Sequence, residues 1–227
     1  MKTRCPRAVI FDFDGTLIDS EGPDSGLLER LLAEEGLPLS QEEILRLFAG
    51  ISRSEVPGFL EERFGFRVSD AWFDRYRAGR DILEGEARVS DDAIAFFRLL
   101  KDAGIARAMA SNSREPRLMR MVRRVGIEPW FEGRFFHLDL GCRSKPAPDL
   151  YLKALDGLGL APDDVLAIED SPVGVQAARA AGVPCLGFTG YSHLAETPGA
   201  LLGAGALATV SSMAEAAAYI ELNQRKE

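Results

Sequence analysis

The run Phe11-Asp12-Phe13-Asp14-Gly15-Thr16-Leu17 constrains this chain more than any other stretch. It follows Arg7-Ala8-Val9-Ile10, which together with Phe11 reads as a short, fully buried strand. A buried strand that ends in two carboxylates is costly unless something compensates their charge. In extended chain, residues i and i+2 point to the same side. Asp12 and Asp14 can therefore converge at the strand's carboxyl end, where Gly15 lets the backbone turn. Two readings are open at this point: a strand end dissolving into a polar loop, or a site for a divalent metal and a nucleophile.

Composition narrows the class of protein. At 227 residues the chain is long enough for one large domain plus an insertion, or for two small domains. A formal net charge of -8 and the lack of a basic run argue against a nucleic-acid partner. Arg120 with Arg123-Arg124 falls on a helical pattern and reads as a solvated face. No apolar stretch approaches the span of a bilayer, and the first residues lack the apolar core of a signal peptide, so no membrane partner is expected. Cys5, Cys142 and Cys185 form neither a disulfide framework nor a paired metal motif. A cytoplasmic setting is the simplest expectation, with a monomer, or else a dimer, as the working state.

Past the first strand, Asp24 to Glu35, Ser40 to Phe48, Ser52 to Phe64 and Ser69 to about Leu83 are polar-rich helical patterns. Ser40-Gln41-Glu42-Glu43 and Ser52-Arg53-Ser54-Glu55 both fit a capping box. From about residue 88, helices alternate with strand candidates at 105–110, 134–137, 165–168, 184–188 and 208–210. Alternation of this kind predicts an α/β fold: a parallel, Rossmann-like sheet with helices on both faces. The expected core covers residues 1–19 and 86–227, and residues 20–85 form an inserted all-helical cap.

Parallel sheets bind ligands at the carboxyl ends of their strands. That rule gathers Asp12 and Asp14, then Ser111-Asn112-Ser113, then Lys145-Pro146, then Glu169-Asp170 near one sheet edge. Each alone has a plain reading: Ser111 or Ser113 as a helix cap, Glu169-Asp170 as a solvated loop, Lys145 as a surface lysine. Their joint occurrence favours a site.

In this order, DxDGT, a strand ending in Ser-Asn, Lys-Pro and Glu-Asp resemble the four motifs of the haloacid dehalogenase superfamily. Lys145-Pro146-Ala147-Pro148-Asp149 and Ile168-Glu169-Asp170-Ser171 are similar to its β-phosphoglucomutase-like subfamily in particular. The resemblance runs from Val9 to about Gly190. It implies a Mg²⁺-dependent hydrolase of phosphomonoesters, acting on a small organic phosphate such as a sugar phosphate. Asp12 would be the nucleophile, forming an aspartyl-phosphate. Asp14 would be the general acid and base, and its backbone carbonyl would ligate the metal. Gly15, Ser111, Asn112 and Lys145 would bind the phosphoryl group. Asp170 would complete the metal shell, with Glu169 a ligand or an orienter of its water. The helical insertion would be a mobile lid. If all four acids were ionised, Mg²⁺ and Lys145 would not balance them, so Asp14 is expected to hold a proton.

Two arginines stand where helix physics disfavours them. Arg53 follows Ser52, and Arg114 follows the candidate cap Ser113. A cation in a first turn faces the positive end of the helix dipole, at about 0.3–1 kcal/mol. Either both are exposed and tolerated, or each is aimed at a substrate anion. In the resembled subfamily, Gly50-Ile51-Ser52-Arg53 matches the cap segment that meets the substrate's non-reacting end.

Sugar phosphomutases of that subfamily carry a histidine after the first motif. Here the alignable residue is Asp24, and the only histidines are His137, read as structural, and His193, read as a loop residue. Hydrolysis is thus favoured over a mutase. A dehalogenase would not need Asp14. A phosphonate hydrolase would want a lysine in the insertion, where Asp19 to Glu84 has none. A non-enzymatic phosphoacceptor module would have neither the insertion nor the second acid. Glu21-Gly22-Pro23 is expected to stiffen the entry to the insertion.

Overall fold

A computed structural model describes residues 5–48 and 55–224, with side chains as far as residue 220. The chain divides into two compact units, Met1–Ile18 with Arg88–Glu227, and Asp19–Ala87. β1 (Ala8–Phe11) opens the first unit. The second holds α1 (Glu21–Glu34), α2 (Gln41–Leu47), α3 (Val56–Phe64) and α4 (Asp70–Glu86). The first unit resumes with α5 (Asp91–Asp102), β2 (Ala106–Ala110), α6 (Glu115–Arg124), α7 (Glu128–Phe131), β3 (Phe135–Phe136) and α8 (Asp149–Leu158). It ends with β4 (Val165–Glu169), α9 (Pro172–Ala180), β5 (Cys185–Phe188), α10 (Thr197–Ala204), β6 (Thr209–Val210) and α11 (Met213–Gln224).

The six strands form one sheet in the order β3-β2-β1-β4-β5-β6, and every pairing is parallel. This is the α/β, Rossmann-like arrangement expected from the alternating pattern. β1 sits centrally, and all four of its residues are buried because helices cover both faces. On one face the small side chains Ala8, Ala108 and Ala110 let α8 and α9 pack close, through Tyr151, Ala154, Val175 and Ala178. On the other, the Phe11 ring meets Phe96, Phe97 and Phe131 edge-on at centroid distances of 5.8, 5.4 and 6.0 Å. Each such ring pair adds about 0.5–1.5 kcal/mol beyond its burial. The one buried cation of the strands, Arg107, is satisfied: its Nε donates to the Trp130 carbonyl at 2.7 Å and its Nη1 to the Ile105 carbonyl at 3.1 Å.

The helical unit has its own core, built from Leu27, Leu28, Leu31 and Leu32 of α1, Ile44, Val56, Leu60, Trp72 and Tyr76. The Ser40 capping box forms as expected: Ser40 Oγ accepts from the Glu43 amide at 3.3 Å, and Glu43 Oε2 accepts from the Ser40 amide at 2.8 Å. The box proposed at Ser52 lies outside the described residues. α1 begins at Glu21 rather than Asp24, so Pro23 falls in its first turn, where no backbone donor is needed. Asp19 Oδ1 accepts from the Gly22 amide at 3.1 Å and caps that turn. Glu21-Gly22-Pro23 is therefore helix, not a hinge. Two helices carry no expectation from the sequence: α7 is a single turn, and α10 reads as an apolar Gly-rich stretch. Among the described residues no helix is long and apolar enough to cross a membrane.

Candidate active site

The sheet register builds the centre of the site. Phe11 pairs with Ile168, which sets Asp12 level with Glu169 at the carboxyl ends of β1 and β4. Like charges side by side on neighbouring strands repel. Lys145 resolves this. Its Nζ donates to Asp12 Oδ1, to Glu169 Oε1 at 2.6 Å and to the Ala110 carbonyl at 2.7 Å. Three donors meet three acceptors, and all three side chains are buried. Burial works against the Lys145 charge, but the Asp12 and Glu169 carboxylates outweigh it and hold the ammonium above the ordinary lysine range. Sequence reasoning expected Lys145 to hold phosphoryl oxygens. In this structure its donors meet the two buried acids and the Ala110 carbonyl.

Glu169 is fixed from every side. Tyr151 Oη donates to its Oε1 at 2.8 Å, and Ser171 Oγ to its Oε2 at 3.4 Å. Its carboxylate packs onto the first turn of α9 so closely that a Cβ on Gly174 would lie 2.0 Å from Oε2. Ser171 caps that helix as expected, accepting from the Gly174 amide at 3.1 Å.

Asp170 is held by the turn after β1. Thr16 Oγ1 donates to Asp170 Oδ1 at 3.0 Å. Gly15 has φ +83°, and a Cβ there would meet Asp170 Oδ2 at 2.1 Å. Its own amide donates to the Ile18 carbonyl at 2.8 Å. Gly15 thus contributes close approach to Asp170 and the turn geometry after β1. Asp12, Glu169 and Asp170 each offer an oxygen, all within 4.8 Å of one another. Burial pushes the Asp12 carboxyl up to about 8. Lys145 opposes this, and Glu169 and Asp14 add to it. A cluster of three carboxyl groups facing one lysine offers the hard oxygen donors that fit a small divalent cation.

Asp14 has side-chain partners that the sequence does not announce. Arg117 grips it with both arms of its fork, Nη1 to Oδ2 at 2.7 Å and Nη2 to Oδ1 at 2.9 Å. Ser113 Oγ also donates to Oδ2, at 3.0 Å. Both oxygens of Asp14 accept hydrogen bonds in this arrangement. The charge count made on the sequence omitted Arg117.

The Ser111-Asn112-Ser113 segment is buried at its first residue. Ser111 Oγ accepts from the Ser113 amide at 3.0 Å. Asn112, the expected phosphate neighbour, accepts from the Lys145 amide through its Oδ1 at 2.9 Å and anchors that loop. Ser113 does not cap α6. The carboxylate of Asp139 does, accepting from the Glu115 amide at 3.0 Å. The Arg114 guanidinium is exposed and pairs with Asp139 at 2.7 Å. Arg53 lies outside the described residues.

Arg117 and Tyr151 are absent from the sequence reading, and Thr16 stands in it only as part of the DxDGT run. Arg117 carried a usable signal. Because α6 starts at Glu115, Arg117 is the cation that stands in its first turn. The dipole argument applied to Arg114 belongs one turn along. Tyr151 carries no local signal; only tertiary packing brings its hydroxyl to Glu169.

The model of haloacid dehalogenase-like hydrolases matches residues 6–182. The phosphorylated carbohydrates phosphatase of Thermotoga maritima is 30% identical over 211 residues, covering 89% of this chain and 93% of that one. A phosphoglycolate phosphatase of Pseudomonas putida is 30% identical over 207 residues, covering 83% of this chain and 71% of that one. Among solved structures, a HAD family hydrolase of Deinococcus radiodurans with bound phosphate and sodium superposes with a TM-score of 0.85 at 31% identity, covering 96% of each chain.

Proposed function

The chain belongs to the haloacid dehalogenase-like hydrolase family, and from that premise we propose that it hydrolyses a small phosphomonoester through an aspartyl-phosphate on Asp12, with Mg²⁺ as its metal. The observation that carries the reading is the convergence of Asp12, Lys145, Glu169 and Asp170 at the carboxyl ends of the central strands. The phosphatases among its relatives, and the phosphate bound by the Deinococcus protein, support it.

Asp12, Asp170 and the Asp14 backbone carbonyl would hold the magnesium ion, with Glu169 behind them, and the ion would offset the charge of the phosphoryl group. The rest follows from the chain's own groups. An Asp12 carboxylate oxygen attacks phosphorus, and the bond to the leaving oxygen breaks with its electron pair. Lys145 steadies the charge on Asp12 and Glu169 throughout. Water then attacks the aspartyl-phosphate and gives its proton to Asp14, and the electron pair of the broken P–O bond returns to Asp12. Asp14 passes that proton to the leaving oxygen of the next ester.

Hydrolysis is favoured over transfer between sugar hydroxyls by the surroundings of Asp24. It accepts from Tyr76 Oη at 3.1 Å and pairs with Arg80 at 3.1 Å, both within the helical unit. It serves as a strut there. We assign the choice of substrate to this helical insertion, residues 20–85. The test is phosphate release over sugar, polyol and carboxylate-bearing phosphate monoesters, with Mg²⁺ and with chelator. Release that persists unchanged in Asp12→Asn, or isomerisation of glucose 1-phosphate faster than phosphate release, overturns the proposal.

A further inference from the structure

We propose that Arg117 is a positioning residue for Asp14 in the second half of the reaction, when water attacks the aspartyl-phosphate; the proposal rests on the hydrolase reading above.

The backbone at Asp14 is already fixed. Asp14 bridges to Ile18, and the Gly15 amide closes onto the Ile18 carbonyl at 2.8 Å. Only the side-chain torsions remain to be set. Arg117 sets them from a different element, across 103 positions of sequence, by two parallel charge-assisted hydrogen bonds. Ser113 closes the ring: its Oγ donates to Asp14 Oδ2 at 3.0 Å and accepts from Arg117 Nη1 at 2.6 Å. The ring is partly shielded, with the Arg117 and Asp14 side chains 21% and 26% exposed.

The location is costly by local physics. Arg117 stands in the first turn of α6, where a cation opposes the helix dipole and where Glu115 is the favoured kind of residue. Its pairing with Asp14 offsets that cost. The two arginines of the segment are thereby sorted, Arg114 to the surface with Asp139 and Arg117 to the second aspartate.

An Asp14 side chain held in one rotamer by Arg117 and Ser113 suits one step above all. It can accept a proton from water as the water oxygen bonds to phosphorus and the P–O bond to Asp12 breaks. Attack by Asp12 on an ester with a good leaving group asks little of Asp14. Loss of Arg117 should therefore slow breakdown of the intermediate more than its formation.

The experiment is rapid mixing of p-nitrophenyl phosphate with wild type, Arg117→Met and Arg117→Lys. For Arg117→Met we expect kcat to fall roughly 10- to 100-fold, KM to fall with it, and kcat/KM to hold within about 3-fold. A burst approaching one nitrophenol per active site should appear. Arg117→Lys, which keeps the charge but loses the fork, should fall between. Equal losses in kcat and kcat/KM without a burst overturn the proposal, as does a lysine variant equal to wild type. If Arg117→Met does not fold, the lysine variant carries the same test. A wild type that releases no phosphate from any ester defeats the hydrolase reading instead. The pairing is then judged by urea unfolding of Arg117→Lys, Asp14→Asn and the double variant. Non-additive losses support it, and additive losses overturn it.

Discussion

Tyr151 Oη donates to Glu169 Oε1 at 2.8 Å, and neither residue has any exposed surface. Burial and the Glu169 carboxylate push the phenol well above its usual range, so it stays a donor across the working pH. Tyr151→Phe takes one donor from a buried carboxylate and leaves Lys145 and Ser171 to hold it. The expected loss is about 1–3 kcal/mol in stability, read by urea unfolding, with a lower kcat as Lys145 is drawn toward Glu169. An unchanged unfolding midpoint would show that the hydroxyl does not steady Glu169.

Gly174→Ala tests the same carboxylate from the other side. A Cβ there would lie 2.0 Å from Glu169 Oε2, so either the first turn of α9 or Glu169 must move. Overpacking of this kind costs about 1–3 kcal/mol, and activity should fall with it. Gly58, where a Cβ meets nothing within 4 Å, is the control: Gly58→Ala should keep full activity. Equal activity in both variants would count against a packed role for Glu169.

Metal binding should couple to pH. Burial pushes Asp12 up to about 8, whereas in the unfolded chain an aspartate titrates near ~3.9. Between those values the folded, metal-free protein binds more protons than the unfolded chain, so its stability falls as pH rises through the window. Magnesium, which takes the ionised carboxylate, should therefore raise Tm more at about pH 8 than at about pH 5. A thermal shift of equal size at both would place the ion elsewhere than at Asp12.

Asp12→Asn should remain folded, with a near-native circular dichroism spectrum, and lose turnover by about a thousand-fold or more. Beryllium fluoride, which mimics a phosphoryl group on a carboxylate, should inhibit wild type and raise its Tm. The same addition should leave Asp12→Asn unmoved. A Tm rise in the variant equal to that of wild type would detach the fluoride from Asp12.

The legible part of this protein is what strand and helix patterns carry. Val9-Ile10-Phe11 reads as buried because it has no polar alternation, and Asp12, Ser111 and Glu169 stand out because each ends such a run. Ser40 and Ser171 announce helix starts through hydrogen bonds that close within three residues. What escapes is set by partners distant in sequence. Nothing near Arg117 marks Asp14 as its partner, and nothing near Asp139 marks it as the cap of α6. Asn112 looks like a ligand residue until Lys145 is seen donating its amide to it. The count of charges behind the proton expected at Asp14 leaves out Arg117 for the same reason, since a sum along the chain cannot include a cation whose partner is unknown.

The central place of β1 also has a consequence for synthesis on the ribosome. The strand Ala8–Phe11 is made first, yet its flanking partners are β2, starting at Ala106, and β4, starting at Val165. At roughly 5–20 residues per second, an apolar strand waits on the order of 5–20 s for the first of them. The helical unit emerges in between and has a core of its own. Nascent chains halted before Ala106 should therefore crosslink to a chaperone through β1 while the helical segment is already protease-resistant, and chains extended well past Glu169 should lose that crosslink. Equal crosslinking at both lengths would mean that β1 finds cover without its partners.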